Sequence, residues 1–173
     1  DLIFGLPGET KAEWLADIEQ LLACEPDHVS LYNLEYHEQT PFGRWHAQGV
    51  LEPLPQDFEA DLYLLTHEKL EQAGYEHYEV SNFAKEGFQC RHNLKYWEYG
   101  NYIGFGPSSH SMVNGLRWNN FRDIIKYNNM LSENSLPVEE KTVLSSEQKK
   151  FEYLMLALRS TGVDFEKYNE NFG

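Results

Sequence analysis

Apolar and polar positions follow two rhythms along this chain, one of period two and one of period 3.6. The opening Asp1-Leu2-Ile3-Phe4 is short and strand-like, and it runs into Gly5-Leu6-Pro7-Gly8, a strand-ending turn. Thr10 and Glu13 have the spacing of a capping box, and Trp14, Ile18, Leu21 and Leu22 recur behind them at helical spacing until Pro26 and Asp27. His28 to Leu34 then reads as a second strand. Strand, helix, strand in this order predicts a βαβ unit with parallel strands and a helix over one face.

Thr40-Pro41 begins a short helical piece that stops near Gly49. Pro55 to Ala73 is the clearest helix, with Phe58, Leu62, Leu65 and Leu70 inward and Gly74 as its stop. Tyr75 to Val80 reads as a third strand, with Glu76 and Glu79 on a solvated edge. An irregular stretch follows until Val113-Asn114-Gly115-Leu116, where Asn-Gly signals a two-residue hairpin. Phe121 to Leu131 is expected to be helical, and Ser132 to Thr142 a polar linker. Ser145 and Gln148 open another amphipathic helix through Phe151, Leu154, Met155 and Leu158, closed by Gly162. Asp164 to Gly173 begins an element that the chain does not finish.

Composition narrows the function. In 173 residues, 41% are hydrophobic and 14% aromatic, enough to build a core, so disorder is not the default. The formal charge of −14 repels polyphosphate, and with no local basic patch a nucleic-acid role is excluded. Two cysteines, Cys24 and Cys90, make no disulfide framework, and no apolar leader or spanning segment is present, so a reducing cytoplasm is the simplest setting. Membrane contact stays open. The chain starts without methionine inside a strand, so a fragment of a longer protein is expected.

The richest chemistry lies in Cys90-Arg91-His92-Asn93-Leu94-Lys95-Tyr96-Trp97. An imidazole donor beside two large rings suits a flat, apolar, metal-bearing ligand such as heme, with His92 as axial donor and Tyr96 or Trp97 against the macrocycle. At helical spacing His92 and Tyr96 share a face. A structural histidine in an aromatic cluster fits the same residues, and both readings stand here. Gly5-Leu6-Pro7-Gly8 lacks the lysine and spacing of a phosphate loop and reads as a βα turn. The remaining histidines (His28, His37, His46, His67 and His77) show no metal-ligand pairing.

Asp1-Leu2-Ile3-Phe4-Gly5-Leu6-Pro7-Gly8-Glu9-Thr10, Ser30-Leu31-Tyr32-Asn33-Leu34 and His92-Asn93-Leu94-Lys95-Tyr96-Trp97 together resemble the HemW-type heme chaperones of the radical S-adenosylmethionine superfamily, the oxygen-independent coproporphyrinogen III oxidase-like group. The first string is shared with the true oxidases; the His-Asn-x-x-Tyr-Trp string is the more selective. The resemblance covers nearly the whole chain. It implies an α/β fold: the later βα units of an incomplete TIM-like barrel (1–80), an accessory α+β region with the His92 motif (81–131), and the truncated start of a helical C-terminal domain (143–173). It also implies S-adenosylmethionine and a 4Fe-4S cluster in the parent, with Asp1, Tyr32, Glu35 and His110 near the nucleotide and Gly104 to His110 against the cofactor cavity. The cluster-binding cysteine triad is absent, so the chain alone should not perform radical chemistry.

Two functions follow from the resemblance. One is heme binding for delivery to acceptor proteins, with His92, Tyr96 and Trp97 at the heme and His92 on its iron. The other is oxidative decarboxylation of coproporphyrinogen III to protoporphyrinogen IX. If the first strand lacks its upstream neighbour, its open edge invites pairing with a second copy.

Overall fold

The βαβ unit forms. In the computed structural model, which describes residues 1–173, β1 (Leu2–Phe4) lies parallel to β2 (His28–Asn33), with Leu2 opposite Leu31, and α1 (Lys11–Ala23) connects them. The Thr10 hydroxyl accepts from the Glu13 amide, and the Glu13 carboxylate accepts from the Thr10 amide, so two of the orphan N–H groups at this helix start are satisfied. α1 ends at Ala23, ahead of Pro26, because Glu25 swings to φ +47° and the Cys24 amide turns back onto Leu21.

α2 (Pro41–Ala47) and α3 (Gln56–Gln72) follow. Trp14 and Ile18 from α1 and Leu62 and Leu70 from α3 pack on Phe4, Val29, Leu31 and Phe83 of the sheet, forming the core of this part. The opposite face is different. Ile3 and Tyr32, paired across β1 and β2, are 50% and 44% exposed. Strand alternation thus buries Phe4 and Leu31 under helices and leaves a half-open face behind them.

The third strand, β3 (Glu76–Glu79), pairs only with β4 (Asn82–Ala84), and β4 runs antiparallel to β2, giving the sheet order β1-β2-β4-β3. The expected break at residue 80 therefore falls inside a hairpin. The chain divides into two compact units at another place, Asp1–Gln89 and Cys90–Gly173. The stretch read as irregular between residue 80 and Val113 contains this strand, a helix and the first strand of a second sheet.

That second unit opens with α4 (Arg91–Trp97) and builds an antiparallel sheet from β5 (His110–Val113), β6 (Leu116–Asn120) and β7 (Val138–Val143). Asn114 at φ +52° and Gly115 at φ +80° make the β5–β6 turn, the pair of left-handed residues that a type I′ turn requires. α5 (Ile124–Ser132) starts later than Phe121, where the Asp123 carboxylate accepts from the amides of Ile125 and Lys126. The linker expected over Ser132–Thr142 is corrected: most of its second half is β7, paired with β6 from Leu116–Val143 to Asn120–Val138. α6 (Ser146–Ala157) carries the predicted Ser145–Gln148 capping box, and α7 (Phe165–Phe172) begins at Asp164. The sheet and these last helices thus fall in one unit, where a boundary between 131 and 143 was expected. No helix is long and apolar enough to cross a membrane.

Candidate functional site

The His92 motif occupies α4, where His92 and Tyr96 begin a row of rings that Tyr102 continues, while Trp97 lines a separate recess with Tyr153 and Ala157. His92 is exposed, and its ring sits edge-on to Tyr96 at 5.0 Å and 84°; Tyr96 in turn meets Tyr102 edge-on at 4.6 Å. Spacing of four residues on a helix produces the first contact. The second is fixed by the backbone, since Tyr102 and Met112 exchange amide–carbonyl hydrogen bonds of 2.8 and 2.9 Å. Trp97 is half-buried. The imidazole is therefore accessible rather than locked into a dry interior.

Just past α4, Tyr99 adopts φ +58°. This left-handed position normally belongs to glycine, and an aromatic residue there carries strain. The Tyr99 ring contacts Tyr153 and Phe172 at 6.4 Å each, which offsets that strain. Burial, and then the Glu152 charge, push its hydroxyl above the ordinary tyrosine range. A cleft of about 220 Å3 opens beside it, lined by Tyr96, Tyr102, Met155 and Leu156 together with Arg117 and Glu152. Arg117 donates to both Glu152 oxygens, at 3.1 and 2.7 Å, a bidentate geometry.

The residues expected near a nucleotide are not brought together within one unit. Asp1, Tyr32 and Glu35 belong to the first unit and His110, exposed on β5, to the second. Asp1 precedes the Leu2–Leu31 pair, whereas Glu35 lies beyond the other end of β2 and faces His37 at 3.2 Å. The Gly5 amide donates to the Glu9 carboxylate at 2.8 Å, so this turn is closed on itself and offers no phosphate cradle. Gly104 serves its own backbone: a Cβ there would collide with the His110 carbonyl, and its amide donates to the fully buried Ser111 hydroxyl at 3.0 Å.

A 4Fe-4S cluster does not fit this chain. It needs three converging thiolates; Cys24 and Cys90 lie in different units, and no group of three His, Cys, Asp or Glu side chains converges anywhere.

Two features escaped the sequence. Glu79, expected on a solvated edge, is 4% exposed; it accepts from the Asn82 amide group, and burial raises its pKa. A bulge between His77 and Glu79 resets the alternation and turns this carboxylate inward. The other is a histidine pair. His77 stacks on Phe83 at 4.3 Å and 13°, and His67 approaches it edge-on at 4.9 Å. Around them stand Tyr63, 3.4 Å from His77 Nε2, the Val80 carbonyl at 3.3 Å, and Glu71, 3.4 Å from His67.

Burial, with His67 adding to it, lowers the His77 pKa from its ordinary 6.5 despite the Val80 and Glu71 contacts. A depressed histidine stabilises the fold above its unfolded value, and this stability is lost as pH falls through the folded one. The urea midpoint of the chain is thus expected to drop between about pH 7.5 and about pH 5, and His77→Phe to flatten that slope. An unchanged slope in the variant would assign the acid sensitivity elsewhere.

The fold is that of an α/β segment of a radical SAM enzyme: the coproporphyrinogen III oxidase HemN of Escherichia coli superposes with a TM-score of 0.77 over 99% of this chain and 42% of its own, at 16% identity. In sequence, the chain is similar to proteins named heme chaperone HemW. It is 34% identical to that of Bacillus subtilis (strain 168) over 174 aligned positions, covering 100% of this chain and 46% of the relative. It is 38% identical to that of Synechocystis sp. over 164 positions, covering 93% and 40%. The chain therefore spans less than half the length of the curated relatives it matches. No family model matches it.

Proposed function

We propose that the parent protein binds heme through this chain and hands it to acceptor proteins, with His92 as the axial ligand and Tyr96 and Trp97 beside the macrocycle. The observation that carries this reading is the exposed His92 ring standing on the Tyr96–Tyr102 pair. An imidazole donor on a firm aromatic support, open to solvent, meets the needs of a transient heme ligand. Likeness to proteins named as heme chaperones at 34% and 38% identity favours it over coproporphyrinogen decarboxylation, since the oxidase likeness at 16% concerns the fold alone.

In the parent, S-adenosylmethionine and a 4Fe-4S cluster are assigned to an incomplete barrel of which the first unit supplies the later strands. Asp1, Tyr32 and Glu35 of this unit are assigned to the nucleotide, and His110 is a separate candidate on β5 of the second unit. The setting is a reducing cytoplasm, and β1 is paired with β2 along one side.

Heme titrated into the purified chain is expected to give, saturably, the Soret position of a histidine-ligated iron, and His92→Ala to remove that ligation signature. An identical spectrum from the variant would remove His92 from the proposal.

A further inference from the structure

We infer that the cleft beside α4 is a subsite for one uncharged edge of the tetrapyrrole whose iron meets His92, so that the chain selects porphyrins with a carboxylate-free side. This rests on the heme reading and adds an orientation to it. Tyr96 belongs to both places: one side of its ring carries His92, and it also walls the cleft with Tyr102. A disc ligated at its centre by His92 must extend over neighbouring surface, and the cleft is the apolar recess adjoining that support. At about 220 Å3 it is too small for a whole macrocycle and the right size for a methyl- and vinyl-bearing edge.

The electrostatics decide which edge enters. Arg117 is the cleft's one cation; both of its terminal nitrogens are held by Glu152, and its Nε is buried without a hydrogen-bond partner. No free positive charge faces the recess, and the chain as a whole is strongly acidic. A carboxylate brought here would lose water and meet Glu152, which is unfavourable. The carboxylate-bearing edge therefore stays in solvent. Tyr99, whose ring lies against Tyr153 and Phe172, also lines the recess.

Metal-free porphyrins separate this subsite from iron ligation, and their binding to the full chain is read by absorbance. Metal-free protoporphyrin IX is expected to bind wild type and His92→Ala within about twofold of one another, and Leu156→Trp, which fills the recess, about tenfold more weakly. Coproporphyrin, with a carboxylate on every pyrrole edge, is expected to bind wild type about tenfold more weakly than protoporphyrin IX, a comparison that needs no variant. Equal binding of the two porphyrins overturns the inference, as does undiminished binding by a folded Leu156→Trp. If heme binds through His92 while the metal-free ring does not bind at all, the subsite is refuted and the heme reading stands. If heme itself gives no shift, the heme reading fails and this inference with it.

Discussion

Trp14→Ala is expected to destabilise the Asp1–Gln89 unit by about 3–5 kcal/mol, the range for removing a large aromatic side chain from a packed core. The indole is wholly buried between α1, α3 and the sheet, 5.7 Å from the Phe4 ring. Its N–H donates to the Thr66 hydroxyl at 2.7 Å, and that hydroxyl donates to the Leu62 carbonyl at 2.7 Å. Alanine would leave a cavity and strip the buried Thr66 oxygen of its donor. Phenylalanine fills much of the space and should cost less, because it forfeits mainly one hydrogen bond, about 1 kcal/mol, and a little volume. Urea unfolding followed by circular dichroism measures both; a loss below about 1 kcal/mol for alanine would mean the site collapses freely.

Tyr153→Ala should cost the second unit about 3–4 kcal/mol and release α7. Tyr153 is 5% exposed, and its ring lies 5.9 Å from Tyr168 and 5.5 Å from Phe172, the two rings that α7 turns inward. Its hydroxyl donates to the Asp164 carbonyl at 3.2 Å, at the start of that helix. A helix of 8 residues does not hold in water without tertiary support. Hydrogen exchange over Phe165–Phe172 should lose its protection in the alanine variant and keep it in Tyr153→Phe. Protection surviving in the alanine variant would show that α7 is held by something other than these rings.

Local signals were legible and non-local ones were not. Thr10–Glu13, Ser145–Gln148 and Asn114-Gly115 are short motifs whose backbone chemistry is complete within a few residues, and each forms as read. β7 was hidden because it pairs only with β6 and exposes Glu139, Glu140 and Lys141, the charged dress of an edge strand that also resembles a polar linker. β4 was hidden because its three residues gain their identity from β2, far away in sequence. At the candidate site, the His92–Tyr96 contact follows from helical spacing, but the Tyr102 partner and the cleft arise from sheet pairing that no window reveals. The His67–His77 pair joins a helix to a strand and has no spacing signature.

The placement of the indoles has a spectroscopic consequence. Trp14 is sealed in the first unit, whereas Trp97 sits half-buried on the helix that bears His92. Emission from Trp14 should begin blue and move red as the first unit opens, while a tetrapyrrole seated near Trp97 should quench that residue by energy transfer. Trp45 and Trp118 also emit, so Phe at both positions leaves one reporter per unit: Trp14 for the opening of the first and Trp97 for a tetrapyrrole bound to the second.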